Sequence, residues 1–424
     1  MKFNIITLGC KVNTYESNVM SDLLKEKGFV EVKNDADIYI INTCTVTDTA
    51  DSKTIKMINK LNNKYKDSII IAVGCLVQID KEKLANTNID ILIGNKNKTK
   101  IYDYIMEFKK TNEKIIDVFD ISSSNFENME LNSSKKTRAF VKIQDGCNNY
   151  CSYCIIPYAR GSVRSKKKDD VLLEVEKLLN LGHKEIVLTG IHTGSYGVDL
   201  NNYNLTDLLK DILKFEKLER IRISSIEITE LTNEFLKLFE KEDKIVPHLH
   251  IPLQSGSDDI LKSMNRKYDK SFFINKINEI KALKENVSIT TDVIVGFPNE
   301  SNDHFEETIN TINEVGFTSL HVFPYSKRKN TKAYDMVGHI DEAIKKERVN
   351  KLLNISDELE DEYNKKFLNK TLSVIVETSK DGFAKGHTSN YLTVVFETKE
   401  NLKNETVKVK IENYKNKKLY GVIV

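Results

Sequence analysis

The strongest constraint on the fold is a unit that recurs through most of the chain: a short apolar run followed by a stretch of helical periodicity. In a first block, residues 1–110, Phe3–Thr7, Asp37–Ile41, Ile69–Val73 and Ile89–Ile93 have the character of buried strands, and Tyr15–Glu26, Asp48–Asn62 and Lys98–Phe108 read as helices. Such alternation with short connections implies a parallel sheet covered on both faces, an α/β domain of flavodoxin or Rossmann type. A second block, residues 138–367, repeats the unit at Ala139–Gln144, Glu185–Thr189, Glu219–Ser224, His248–Leu253, Ser288–Val295 and Thr318–Phe323, and closes with a long amphipathic helix over Asp341–Phe367. Six such units fit a full or partial (β/α)6 barrel, whose chemistry belongs at the strand C-termini. Residues 111–137 are polar, with Ser122–Asn125 and Asn132–Lys136 at their centre, and read as a linker. In the last block, residues 368–424, short strands at Leu372–Glu377, Phe383–His387, Tyr391–Phe396, Thr406–Ile411 and Leu419–Ile423 leave no room for helices, which predicts a small β-barrel of oligonucleotide-binding type.

Charge narrows the choice of partners. Lys+Arg 64 against Asp+Glu 62 leaves the chain at +2, which excludes a generally basic nucleic-acid coat. The mild excess is concentrated in the last block, where ten lysines face six acids. No apolar run approaches the ~20 residues of a membrane span, and Met1–Leu8 has no signal-peptide pattern. The expected location is the cytoplasm, where thiols stay reduced, so the 6 cysteines point to metal or redox chemistry rather than disulfides.

Three of those thiols lie in Asp145-Gly-Cys147-Asn-Asn-Tyr-Cys151-Ser-Tyr-Cys154. A short loop with this spacing can wrap an iron–sulfur cluster, one thiolate per iron corner, and would leave one iron of a [4Fe–4S] cube open. The competing reading is structural zinc, which wants a closed set of four ligands; the nearest downstream histidine, His183, lies beyond a predicted helix. The loop follows the first strand of the second block, which places it on the barrel's catalytic face. Cys10, Cys44 and Cys75 are far apart in sequence but each follows a predicted strand of the first block. Strand C-termini of a parallel sheet open on one edge, so these three thiols can converge on one ligand. The alternative is that each is simply a buried free cysteine.

The triplet loop, with Tyr153 just before its last cysteine, resembles the signature of the radical S-adenosylmethionine (SAM) enzymes. Two three-cysteine groups together with Thr7-Leu-Gly-Cys-Lys-Val-Asn13, Asn42-Thr-Cys44, Gly74-Cys75 and a terminal β-domain like the TRAM module narrow the resemblance to the methylthiotransferases, over nearly the whole chain. The resemblance implies two [4Fe–4S] clusters, a SAM-cleaving one on Cys147, Cys151 and Cys154 and a sulfur-delivering one on Cys10, Cys44 and Cys75. It also implies SAM, a low-potential donor such as flavodoxin or ferredoxin, and a monomer as the working form. Branches of the family act on a tRNA adenosine 3′ of the anticodon, bearing an isopentenyl or a threonylcarbamoyl group, or on a ribosomal-protein aspartate. Leu8-Gly-Cys-Lys-Val-Asn13 and Lys142–Asn149 with Ile155–Gly161 look most like the threonylcarbamoyl branch.

By position, Thr189 and Gly190 resemble the segment that holds SAM's methionine amine, and Glu227 and Gln254 follow barrel strands from which they could bond SAM, as could Gly296-Phe-Pro298. Each also reads as ordinary loop polarity. The basic run Arg160, Arg164, Lys166–Lys168 adjoins the triplet loop and is a candidate for RNA phosphate contact or a solvated helix start; Lys408 and Lys410, with Tyr391, Tyr414 and Tyr420, are the matching candidates in the last block. A rival of another class uses His248 and His250, which share a strand face, with Asp292 as a hydrolase metal site.

Overall fold

The computed structural model describes residues 1–121, 124–132 and 137–424. The first unit is a six-stranded parallel sheet of β1 (Lys2–Thr7), β2 (Val30–Glu31), β3 (Ile38–Thr43), β4 (Ile69–Gly74), β5 (Ile91–Ile93) and β6 (Ile115–Asp117), ordered β2-β1-β3-β4-β5-β6. Alternate residues of β3 face opposite layers. Ile38 and Ile40 pack with Met20 and Leu24 of the helix Lys11–Glu26. Tyr39 and Ile41 pack with Ile58 and Leu61 of the helix Asp48–Lys64. The winding reverses between β1 and β3, and a doubly wound sheet binds ligands in the crevice at that point. Cys10 follows β1 and Cys44 follows β3.

The second unit begins at β7 (Arg138–Lys142). A short antiparallel hairpin, β8 (Gln144–Asp145) with β9 (Arg164–Ser165), brackets the triplet loop. Parallel strands β10 (Glu185–Thr189), β11 (Arg220–Ile223), β12 (His248–His250), β13 (Ser288–Val295) and β14 (Ser319–Pro324) complete the arc. They form two sheets, β11-β10-β7 and β12-β13-β14. The bridge Ile221–Ile245 and the bond from the Ile226 N–H to the His250 carbonyl, 3.1 Å, join the two sheets. Among the described residues no ladder joins β14 back to β7, so the barrel is incomplete and open along β14. The last unit is a closed barrel of β15 (Thr371–Lys380), β16 (Phe383–Thr388), β17 (Thr393–Glu397), β18 (Thr406–Lys415) and β19 (Lys418–Ile423). Its core takes every second residue, such as Val374 and Val376, Val394 and Phe396, and Val409 and Ile411. Among the described residues no helix is long and apolar enough to cross a membrane.

The stretch 111–137 departs from a free linker. It contributes β6 to the first sheet, and Ile121, Met129 and Leu131 are buried. Its backbone is tied down as well: the Met129 carbonyl accepts from Lys166 Nζ at 2.8 Å, and the Leu131 N–H donates to Glu174 at 2.9 Å. Three apolar anchors scattered among polar residues give no periodic signal, and strands as short as β2 and β6 are below the length at which alternation can be read. Ser122, Ser123 and Ser133–Lys136 lie outside the described residues.

Candidate active site

Cys10 stands at the N-terminus of the helix Lys11–Glu26, Cys44 just past β3, and Cys75 at the first residue of a short helix after β4. The strand tips are packed closely enough to require Gly9: at its φ of +102° a Cβ would fall 2.7 Å from Cys44 Cβ. The Asn13 side-chain amide donates to the Leu8 carbonyl at 2.7 Å and the Thr43 carbonyl at 2.9 Å, locking the first two tips together. Burial, then the neighbouring Cys75 and Cys10, push the Cys44 thiol up to about 12. The three thiols therefore feel one another, and Cys10 is the exposed member of the three.

The second group is held by its own loop. A Cβ on Gly146, at φ +74°, would collide with the Ser162 carbonyl, so only glycine allows the loop to close against the β9 side. The Cys147 N–H donates to the Gly161 carbonyl at 3.0 Å and the Cys154 N–H to the Cys151 carbonyl at 2.9 Å. Burial, then Cys151, push Cys154 up to about 12. Arg266 Nη1 donates to Cys151 Sγ at 3.3 Å and its other terminal nitrogen pairs with Glu227; His192 Nδ1 lies 3.7 Å from Cys147 Sγ. Cys44 and Cys154, which hold their protons this tightly, are poor free nucleophiles. A bound metal displaces those protons and relieves the repulsion, so both sulfur-only donor sets fit iron–sulfur ligation.

A buried ion cluster lies between the groups. Glu16, on the helix that Cys10 starts, accepts from Lys142 Nζ at 2.8 Å and Arg160 Nη1 at 2.9 Å, and pairs with Lys98. Asp145, two residues before Cys147, accepts from the same Lys142 at 2.7 Å and Arg160 at 3.1 Å. Burial alone would raise Glu16, but Arg160, Lys142 and Lys98 hold its carboxyl well below the usual range. Arg160 Nη2 also donates to Asn13 Oδ1 at 2.8 Å. This arrangement corrects the reading of Arg160 and Arg164 as RNA contacts. Arg160 is fully buried, and Arg164 is buried against the Ile121 carbonyl and Asp145. Lys166 is likewise buried on Glu174, with a 2.6 Å contact. Folding covers Arg160, Arg164 and Lys166 with carboxylates, while Lys167 and Lys168 stand exposed. Lys408 and Lys410 do stand exposed on β18.

A cavity of about 890 Å³ joins the first sheet to the barrel bore. Gly9, Cys10, Lys11 and Cys44 line it from one side, and Thr189, Gly190, Arg222, His248, His250, Asp292, His321 and Tyr391 from the other. Of the four SAM candidates, Thr189 and Gly190 face this cavity. Glu227 faces Arg266 beside Cys151, and Gln254 sits at φ +66° with its backbone bridged to Val293. The histidine pair divides: His248 packs on the Tyr391 ring, whereas His250 and His321 each lie 3.2 Å from Asp292. Burial would raise Asp292, yet these two imidazoles hold it well below the carboxylate range. The third group of a metal-competent set is thus His321, not His248. Tyr391, one of three tyrosines considered for base stacking, lies between Arg138 and Arg222, 4.9 and 4.8 Å from its ring, and stays partly exposed.

Residues 141–312 match the radical SAM superfamily, and residues 2–94 match an uncharacterized protein family, UPF0004. The threonylcarbamoyladenosine tRNA methylthiotransferase MtaB of Bacillus subtilis is 42% identical over 96% of this chain and 92% of its own. The chain belongs to the radical SAM methylthiotransferases. A tRNA-2-methylthio-N(6)-dimethylallyladenosine synthase of Natranaerobius thermophilus is 36% identical over 100% of this methylthiotransferase and 96% of its own length. Among solved structures, the radical SAM methyltransferase TsrM from Kitasatospora setae, with cobalamin and a [4Fe–4S] cluster bound, aligns with a TM-score of 0.57 at 10% identity, covering 78% of this chain and 74% of that one. That likeness concerns the fold.

Several site residues escaped the sequence reading. Arg266 is a lone arginine in a Met-Asn-Arg-Lys turn. Asn95, whose amide donates to Cys75 Sγ at 3.3 Å, has no motif around it. Glu16 was hidden inside an amphipathic helix, although a fully buried carboxylate on the helix after Gly9-Cys10 was a spacing clue: it lies on the same side as Val12, Tyr15 and Val19.

Proposed function

We propose that this methylthiotransferase inserts a methylthio group at C2 of the N6-threonylcarbamoyladenosine 3′ of the anticodon in tRNA. The observation that carries the proposal is that Cys10 and Cys44 open into the same cavity as the barrel residues Thr189 and Gly190. A target base seated there is reached both from the sulfur-delivering side and from the radical-generating side. The kinship to MtaB supports the threonylcarbamoyl branch.

In this reading Cys147, Cys151 and Cys154 hold one [4Fe–4S] cluster and Cys10, Cys44 and Cys75 the other. When bound, the clusters and SAM supply one-electron SAM cleavage and the transferred sulfur. The protein's part is placement: Arg266 and Asn95 donate to sulfur and stabilise its negative charge, Thr189 and Gly190 border the SAM pocket, and the Glu16 cluster fixes one thiol group relative to the other. The lysines of the last barrel approach tRNA phosphates. A flavodoxin- or ferredoxin-like donor reduces a monomeric, cytoplasmic enzyme.

The test is anaerobic reconstitution followed by turnover of a threonylcarbamoylated anticodon stem-loop. The wild type should hold about eight irons per chain and yield the methylthio product by mass spectrometry. Cys147→Ala should abolish 5′-deoxyadenosine formation. Cys10→Ala should keep 5′-deoxyadenosine but lose the product, and both should fall to about four irons. Conversion of an isopentenyladenosine stem-loop in place of the threonylcarbamoyl one would overturn the substrate assignment.

A further inference from the structure

The cavity between the first sheet and the barrel is lined by three cationic side chains, Lys11, Lys53 and Arg222. Arg222 Nε pairs with Glu185 at 2.7 Å, and Arg138 Nε pairs with Glu377 at 2.6 Å. Lys11, which lines the cavity one residue beyond Cys10, has no such partner: among the described residues no hydrogen bond or ion pair engages its ammonium. Its nearest electrostatic neighbours are Tyr391, Arg222, Arg138 and the Cys10 thiol, none of them a carboxylate. Arg222 adds a second open valence, because its buried Nη1 has no hydrogen-bond partner although the residue lines the same cavity. Lys11 itself is exposed to the cavity, but a buried guanidinium nitrogen left without an acceptor is costly, and a site built this way favours a ligand that supplies an anion.

We infer that Lys11, with Arg222 behind it, binds the free carboxylate at the end of the substrate's N6 arm and so selects amino-acid-bearing adenosines. The inference rests on the substrate proposed above and names the side chain that reads it. C2 and the C6 that carries N6 flank N1 on the same edge of the purine. A base that turns this edge toward the Cys10–Cys44 side therefore brings the start of its N6 arm to the same wall, where Lys11 follows Cys10 and lines the cavity together with Arg222 and Tyr391. An apolar arm in the same position leaves the buried Arg222 Nη1 unpaired, so the wall rejects it as well as attracting the acid.

The experiment measures binding of anticodon stem-loops by fluorescence anisotropy, comparing one bearing the threonylcarbamoyl acid with its carboxamide analogue, which keeps every phosphate and removes only the charge. The reconstituted wild type should bind the acid at least tenfold more tightly. In Lys11→Met and in Lys11→Gln that ratio should fall towards one while affinity for the amide is unchanged, and Lys11→Arg should restore part of it. The ratio is internal to each variant, so a partly unfolded preparation scales both numbers alike. A ratio that survives both neutral variants overturns the assignment. So does equal weakening of acid and amide, which would make Lys11 a contact to RNA phosphate. A wild type that converts only the isopentenyl stem-loop overturns the substrate reading, and the Lys11 assignment with it.

Discussion

The barrel carries two neighbours, and it holds them by different means. The first sheet is joined through charges that water does not reach: Glu16 meets Lys142, Arg160 and Lys98, and Tyr15 on the same helix donates to Glu174, itself paired to Lys166. A further buried arginine, Arg328, donates to Thr45 at 2.6 Å and Asp51 at 2.7 Å beside Cys44. The last barrel is joined by pairs nearer to solvent, Arg138 with Glu377 and Lys184 with Glu405, and by Arg220 and Arg222 donating to the carbonyls of Ser373 and Ser389. Buried ion networks add little net stability over an apolar contact, but they tolerate very little displacement. The interface that sets the distance between two thiol groups is the rigid one; the interface that carries the RNA-facing lysines is the softer.

Breaking the rigid interface should have the largest effect. Glu16→Gln removes the anion shared by three buried cations, and losing one partner of such a pair costs about 3–5 kcal/mol. The expected result is a lower denaturant midpoint for the whole chain. Product should be lost while SAM cleavage persists, because the ligands of the local group remain on their own loop. A midpoint unchanged from wild type would show that the cluster does not join the two units.

The contrast between local and distributed features also explains what could be read from sequence. Cys147, Cys151 and Cys154 lie on one loop, so spacing alone exposed them. Cys10, Cys44 and Cys75 became a group only through the assumption that β1, β3 and β4 are parallel neighbours, which needs nothing more than strand runs of buried aliphatics. The closed last barrel was legible for the same reason, from period-two alternation over five or six residues. Arg160 and Arg164 misled because a basic run looks alike whether solvent or a carboxylate faces it; the deciding partners, Glu16 and Asp145, are 144 and 15 residues from Arg160 in the chain. The stretch 111–137 misled because its few apolar anchors, Ile121, Met129 and Leu131, follow no period. Arg266 and Asn95 act as single residues in long-range contact, and no local pattern encodes that.

The softer interface should respond to acid. Burial alone would raise Glu377, but His387 and Arg138 hold it at about 2, below its ordinary 4.5. A carboxylate depressed on folding stabilises above its unfolded value and loses that contribution as pH falls through the folded one. Docking of the last barrel should therefore weaken progressively between pH 4.5 and about 2. Calorimetry should show an early transition emerging over that window. Glu377→Gln should bring it out at neutral pH, with a cost of ~1 kcal/mol for a partly exposed pair. Absence of any such change in Glu377→Gln would place the docking energy in the arginine–carbonyl contacts instead.

The smallest effect belongs to the surface of the same barrel. Lys408 and Lys410 lie two apart on β18, exposed and paired in register with Ser373 and Thr371. Neither takes part in the interface, so replacing them with alanine should leave the fold and SAM cleavage as they are. If they meet tRNA phosphates, the double variant should bind tRNA only a few-fold more weakly. The more telling readout is the slope of log affinity against log salt, which should drop by about one for each contact removed. That loss should be the same for tRNAs with and without the modified adenosine, because backbone contacts position an RNA without reading it. Selectivity would then reside in the cavity between the first sheet and the barrel, and recruitment on the outer face of the last barrel. An unchanged slope would move the RNA-binding face elsewhere on the molecule and remove the functional half of the contrast between the two interfaces.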